Sequence, residues 1–172
     1  MTGGESSGEA RRPLRLAAPR PETVPASPTL SRDTARVMSQ ENVEIVQGML
    51  ERFSTGDVEG WLGDWGREAE WTAVGFGAVE GGERVYRGHD GLRRFRADSI
   101  EAFAEIRVDA SDFRDVVDRV LVLGKLKAKG ATSGAAFETR MAWLFEVRDR
   151  EIVRGRDYLD QQQALEAAGL KE

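Results

Sequence analysis

The chain has 172 residues, 40% of them apolar and 32% charged, and it carries a formal net charge of −5 at pH 7. The lack of cysteine and the single histidine exclude disulfides, thiolate chemistry and multi-histidine metal sites. The negative charge argues against nucleic acid as the main partner, and no apolar run approaches the ~20 residues of a membrane span, so we expect a cytoplasmic globular domain.

Residues 1–37 differ in composition from the rest of the chain. All five prolines fall within the first 28 residues, amid Gly, Ser, Ala and Arg. Such a composition buries too little apolar area to offset chain entropy, so we expect a disordered tail. The alternative is that Met38 is the natural start and that the preceding segment is an over-extended reading of the gene. The folded domain is predicted over residues 38–170.

Two helices are predicted at the start of this domain. Ser39 or Asn42 is suited to cap the first helix, which Gly56 ends. Its apolar residues recur at helical spacing, at Val43, Val46, Leu50 and Phe53. A second, short helix is predicted between Val58 and Gly66.

The remaining pattern is one helix and several strands. Alternating residues predict a strand at Glu68–Val74, and five glycines predict a flexible loop at Gly75–Gly88. A third helix is expected at Asp90–Ala104 and a tail helix at Gln161–Ala168. Period-two patterns predict four further strands, at 105–116, 119–129, 137–148 and 151–160. This order indicates an α+β fold in which three N-terminal helices pack on a curved antiparallel sheet.

Four short segments together resemble the SnoaL-like branch of the nuclear transport factor 2-like superfamily. They are Glu68–Trp71, Tyr86–Leu92, Val147–Val153 and Arg156–Asp160. The resemblance covers residues 38–170. It implies a cone-shaped, strongly curved sheet wrapped round helices, an apolar pocket at the wide end, and a homodimer. Because this superfamily includes isomerases, cyclases, hydrolases, dehydratases and non-enzymatic binding domains, the fold alone does not decide the function.

Asp157 is the first candidate catalytic residue. Strand periodicity places it on the same face as Gly155, with Arg154 and Arg156 on the other face. The segment around it is similar to the end of limonene epoxide hydrolases, where the matching Asp is an acid–base residue. A carboxyl among aromatic walls would have a raised pKa, which suits proton transfer near neutral pH. The alternative is a structural Asp paired with Arg154 or Arg156.

Other catalytic residues that the superfamily's known reactions require are missing from this sequence. Epoxide hydrolysis uses an Arg and a second Asp on a central strand, but the corresponding positions hold Val122, Gly124 and Leu126. Trp71 and Ala73 occupy the positions of the residues that hold its water. Ala73 also stands near the position of the ketosteroid isomerase base. The resemblance therefore gives an incomplete catalytic set for both reactions.

His89 and an aromatic group complete the candidate site. His89 precedes the third helix and could transfer a proton, because the imidazole side chain is the usual proton-transfer group at physiological pH. The alternative is that its ring caps the helix or bonds to Asp90 or Tyr86. The candidate ligand-binding residues are Trp71, Phe95, Thr139, Met141 and Trp143. No metal or cofactor is expected.

Three functions follow from this inventory. The chain is a cofactor-free acid–base enzyme of isomerase, cyclase or hydrolase type, a pocket that only binds and sequesters a ligand, or a dimerisation module. The expected partner is a small hydrophobic or aromatic molecule, because a few polar groups suffice to orient an apolar ligand. The homodimer is expected through the outer sheet face, whose apolar residues are Leu121, Leu123, Ala142, Leu144, Ile152 and Tyr158.

Overall fold

The computed structural model describes residues 31–75 and 82–171. The helices are α1 (Arg32–Thr55), α2 (Val58–Gly63), α3 (Gly88–Ala102) and α4 (Gln161–Ala167). The strands are β1 (Trp65–Ala73), β2 (Arg84–Arg87), β3 (Phe103–Val116), β4 (Arg119–Gly130), β5 (Ala136–Arg148) and β6 (Glu151–Tyr158). The predicted α+β class is confirmed, with helices packed on a curved six-stranded sheet.

Helix α1 begins earlier than the sequence predicts. Ser31 caps it, with Oγ accepting a hydrogen bond from the Thr34 amide at 3.2 Å, and Gly56 ends it with a φ of +81°. The predicted start at Ser39 or Asn42 is therefore wrong, and residues 32–37 are helical and exposed. The apolar pattern missed this turn because it carries no buried residue. Disorder was predicted for residues 1–37; it is wrong for residues 32–37, which are helical, and residues 1–30 lie outside the described residues.

The sheet is mixed, with the strand order β2-β1-β6-β5-β4-β3. Strand β1 pairs parallel to β6, with Glu70 opposite Arg154, while the other four pairings are antiparallel. The prediction of a wholly antiparallel sheet is thus wrong at this one pairing. Alternation along a strand reports which face is buried and not which way its neighbour runs.

Strand β2 lies inside the segment that was predicted to be a flexible loop. Its four residues pair antiparallel with β1, and Tyr86 lies opposite Trp71. Four residues among glycines give too short an alternation to indicate a strand. Residues 76–81 of the predicted loop lie outside the described residues.

Register shifts interrupt the long strands and accompany the curvature of the sheet. One shift lies between Ala110 and Asp112 on β3, opposite Gly124 of β4. A Cβ at Gly124 would stand 2.4 Å from the Asp109 carbonyl oxygen, so only glycine permits this close crossing. Bulges of this kind bend the strand and increase its twist.

The main hydrophobic core fills the space between the helices and one face of the sheet. It is rich in aromatic rings that contact one another at centroid distances near 6 Å. Its buried aromatic members are Phe53, Trp61, Trp65, Trp71, Tyr86, Phe95, Trp143 and Phe145. This core carries the candidate site.

Helix α4 covers the opposite face of the sheet. Its residues Ala164 and Leu165, together with Ala168 at its C-terminal cap, pack against three buried sheet residues: Leu121, Leu123 and Ala142. The Gln161 side chain donates to the Met141 carbonyl at 2.9 Å, and Arg119 donates to the Ala167 carbonyl at 3.1 Å. Both ends of the helix are therefore fastened to the sheet.

The packing of α4 covers much of the sheet face on which the dimer interface was predicted. Leu121 and Ala142 are fully buried within the single chain, and Ile152 belongs to the main core on the other side of the sheet. The expectation of a large exposed apolar patch on this face is wrong, because α4 fills it. The homodimer itself stays a prediction. None of the helices in residues 31–75 and 82–171 is long and apolar enough to cross a membrane.

Candidate functional site

A cavity of about 400 Å³ opens between the helices and the curved sheet. Helices α1, α2 and α3 supply one side of its wall, and strands β1–β6 supply the other. Its lining is mainly aromatic and aliphatic, and includes Phe53, Trp61, Trp65, Trp71, Phe95, Phe103, Met141, Trp143 and Phe145. Among the described residues, the lining side chains with polar ends are Arg84, Thr139 and Asp157. The volume and the lining suit a small aromatic or hydrophobic molecule.

The aromatic wall is fixed by close packing around one glycine. Trp71 stacks on Phe145 with centroids 5.9 Å apart, and Trp65 meets Trp71 edge-on at 6.0 Å. A Cβ at Gly155 would stand 2.8 Å from Trp71, 2.9 Å from Phe145 and 3.0 Å from Trp65. Glycine at this position therefore lets all three rings approach the sheet.

Asp157 is held at the end of β6 by the backbone of the neighbouring strand. The residue is 6% exposed. Oδ1 accepts hydrogen bonds from the amides of Val74, at 2.6 Å, and Gly75, at 3.3 Å. Among the described residues no group donates to Oδ2. One oxygen thus fixes the side chain, and the other accepts no hydrogen bond from the described residues.

Burial raises the pKa of Asp157 to about 6 from an ordinary value of 3.8, because desolvation penalises the charged form. The amides of Val74 and Gly75 and the charge of Arg156 oppose this rise. At pH 7 roughly a tenth of the carboxyl is protonated, so both forms are accessible. The alternative prediction of an ion pair with Arg154 or Arg156 is wrong, since within the described residues Arg156 pairs with Glu83 instead.

His89 lies at the beginning of α3. Its Nε2 donates to the Trp65 carbonyl at 2.8 Å, which ties this helix to the start of β1. It is not among the residues that line the cavity. The structure therefore does not bring His89 together with Asp157.

The sequence model of one protein family matches residues 46–155, and that family is the SnoaL-like domain. The chain belongs to this family. The resemblance inferred from four short segments is thereby confirmed. A search of the curated proteins finds no match to the sequence.

Solved structures with the same fold are similar to this SnoaL-like domain. TerC, co-crystallised with polyporic acid, is 22% identical, with a TM-score of 0.63 over 75% of this chain and 98% of that chain. A Mycobacterium tuberculosis LEH-like epoxide hydrolase is 17% identical, with a TM-score of 0.60 over 76% and 91%. A candidate SnoaL-like polyketide cyclase from Jannaschia sp. CCS1 is 16% identical, with a TM-score of 0.62 over 84% and 100%. At these identities the likeness shows the fold alone.

The structure of the SnoaL-like domain brings most of the predicted site residues together. Six of them line the same cavity: Trp71, Phe95, Thr139, Met141, Trp143 and Asp157. The roles assigned to them stay predictions. Residues 31–75 and 82–171 contain no group of three or more His, Asp or Glu side chains that could hold a metal ion.

Sequence reasoning missed several residues of the wall. Phe53 and Trp61 carry helical periodicity, which indicates burial and not whether a side chain faces a cavity or a solid core. Trp65 stands at the predicted end of a helix but begins β1. Arg84 lies in the predicted loop and reaches the cavity because β2 pairs with β1. No local signal distinguishes these positions.

Proposed function

We propose that this SnoaL-like domain binds a small aromatic or hydrophobic molecule in the cavity and that Asp157 moves a proton to or from it without a cofactor. The observation that carries the proposal is a buried carboxyl with a pKa of about 6 on an aromatic wall. A pKa near the working pH maximises the efficiency of a general acid or base.

The geometry favours a reaction that needs one carboxyl. Oδ1 is occupied by the amides of Val74 and Gly75, so Oδ2 is the atom that exchanges the proton. As a carboxylate, Asp157 would take a proton from a carbon next to a carbonyl and return it to the same or a neighbouring carbon. Isomerisation and ring closure by cyclase chemistry both begin in this way.

Hydrolysis fits the wall less well than proton transfer to carbon. A hydrolase must hold a water molecule, and the corresponding positions carry the apolar surfaces of Trp71 and Ala73. The names of two similar structures, TerC with polyporic acid and the candidate polyketide cyclase, support small-molecule chemistry in this fold.

A probe with an acidic C–H bond tests this proposal. We suggest 2-tetralone, a small aromatic ketone, because exchange of its α-hydrogen for deuterium in D₂O is visible by proton NMR. The protein should accelerate exchange, with a rate that rises with pH through about 6 as the carboxylate forms. Asp157→Asn should lower the rate by about a hundredfold or more. Asp115→Asn, an exposed aspartate on β3, serves as the matched control and should exchange at the wild-type rate.

Binding is measured in the same samples by tryptophan fluorescence. All four tryptophans of the chain line the cavity, so an aromatic ligand should change their emission. If 2-tetralone binds and no exchange occurs, the second candidate function, ligand binding without turnover, is favoured. That candidate is supported by the small polar inventory of Arg84, Thr139 and Asp157. If the probe neither binds nor exchanges, both candidates lose their support for this ligand class.

A further inference from the structure

A second, wider groove of about 920 Å³ lies beside the main cavity. Its walls are the end of α1 at Ser54–Gly56, one side of α3, and the ends of β3, β4 and β5. Three apolar residues border both spaces: Phe103, Ile106 and Phe137. Unlike the main cavity, the groove has many charged residues in its wall.

Arg96 of α3 lines this groove and is unusual because it is a buried charged residue. The residue is only 8% exposed, and its guanidinium carbon lies 4.6 Å from the centroid of the Phe53 ring. Nη1 is buried and makes no hydrogen bond, and no Asp or Glu in residues 31–75 and 82–171 pairs with it. Burial accordingly lowers the pKa of Arg96, with no neighbouring carboxylate to oppose the effect.

An unpaired buried guanidinium is costly to keep. Burial of a charge without a partner is strongly unfavourable, whereas the contact with an aromatic face restores only about 1–2 kcal/mol. In folded proteins such groups ordinarily have a carboxylate, a phosphate or another acceptor beside them. Arg96 therefore lacks an acceptor in this arrangement, and the groove that it lines offers room for one beside its side chain.

Other charges in the groove add to the positive potential. Arg107, Lys127 and Lys129 line it together with Glu105 and Glu138. Lys127 is neutralised, because its Nζ lies 2.7 Å from Asp109 and 3.7 Å from Glu138. Within the described residues Arg107 and Lys129 form no ion pair. The groove thus keeps more positive charge than negative.

We propose that this groove binds an oxyanion group, a carboxylate or a phosphate, with the Arg96 guanidinium as its principal contact. The planar fork of arginine suits both groups, because two parallel N–H donors match two oxygens. Phe103 and Phe137 offer an apolar surface beside the charge. The oxyanion is either free in solution or the end group of an apolar acid. This site is separate from proton transfer at Asp157 and is tested with other ligands and other variants.

The test is calorimetric titration of the full chain with inorganic phosphate, with hexanoate and with hexanamide, the neutral match of hexanoate. The wild type should bind phosphate or hexanoate. The affinity of Arg96→Met for the same anion should be at least tenfold lower. The control is Arg94→Met, which replaces an exposed arginine on the same helix and should have an affinity within twofold of the wild type. Binding of phosphate identifies a free anion; binding of hexanoate alone, with hexanamide at least tenfold weaker, identifies an acidic end group.

A thermal melt of each variant accompanies the titration. Arg96→Met should melt at or above the wild-type temperature, because it removes an uncompensated buried charge. If it does not fold, Arg96→Lys replaces it in the titration: it keeps the charge without the fork and should still bind several-fold more weakly. The proposal is overturned if the wild type binds neither anion, or if the Arg96 variant that folds binds as tightly as Arg94→Met.

Discussion

Asp157→Asn separates the charge of this residue from its structural hydrogen bonds. The amide oxygen of Asn can still accept from the amides of Val74 and Gly75, so the fold should be kept. What disappears is the ionised form. The pKa of the carboxyl rises from 3.8 to about 6 on folding, and each pKa unit corresponds to about 1.4 kcal/mol, so ionisation within the folded protein costs about 3 kcal/mol of stability.

The sign of this effect follows from proton binding. Below about pH 4 the carboxyl is protonated in both the folded and the unfolded chain, and its titration contributes no penalty. Between pH 4 and pH 6 the folded state holds the proton more tightly, so the free energy of unfolding falls as the pH rises. Above pH 6 the loss is complete. The difference in stability between Asp157→Asn and the wild type should therefore grow in favour of Asn by about 3 kcal/mol from pH 3 to pH 7.5.

Urea unfolding followed by tryptophan fluorescence measures this difference at each pH. Other carboxylates titrate in both proteins and cancel in the comparison, so the change with pH isolates residue 157. The exposed variant Asp115→Asn should keep a constant offset from the wild type over the same range. If the Asp157→Asn offset is also constant with pH, the carboxyl has an ordinary pKa and the argument for proton transfer fails.

Two further predictions concern packing. Gly155→Ala should lower the free energy of unfolding by about 2 kcal/mol or more, because the new Cβ would stand within 3.0 Å of three aromatic rings. The control is Gly63→Ala, whose Cβ would have no neighbour within 4 Å. Its stability in urea should be nearly that of the wild type. A chain ending at Asp160 lacks α4 and should expose Leu121 and Leu123. Because exposed apolar patches promote association, light scattering should find a larger mass than for the full chain. An unchanged mass and melting temperature would show that α4 does not protect this face.

Periodicity predicts much of the inner side of this fold. Alternation along β6 places Gly155 and Asp157 on one face, and both are buried there: Asp157 lines the main cavity, and Gly155 lies under the aromatic rings of its wall. The same pattern on β5 brings Thr139, Met141 and Trp143 to the cavity wall. These predictions succeed because the side-chain period of a strand is a local property of the backbone.

The outer side of the fold depends on contacts between distant segments. A tail helix was predicted at Gln161–Ala168 and forms at Gln161–Ala167, but its pattern did not indicate that it would pack on Leu121 and Ala142. Strand β2 and the parallel pairing of β1 with β6 were missed for the same reason. Each depends on which elements meet in space, which no local spacing encodes.

The surroundings of Asp157 contain features that a comparison of catalytic motifs does not detect. The side chains that assist this carboxyl in epoxide hydrolases are absent, and by that measure the residue stands alone. Yet its position is fixed by the amides of Val74 and Gly75, which follow β1 directly and reach Oδ1 only because β1 lies parallel and adjacent to β6. Backbone donors have no sequence signature. The parallel pairing of β1 with β6, which brings these amides to Asp157, is also not predicted by alternation along the strands. Because these amides hold one oxygen and burial raises the pKa, the carboxyl has both a fixed orientation and an accessible proton without a second catalytic side chain.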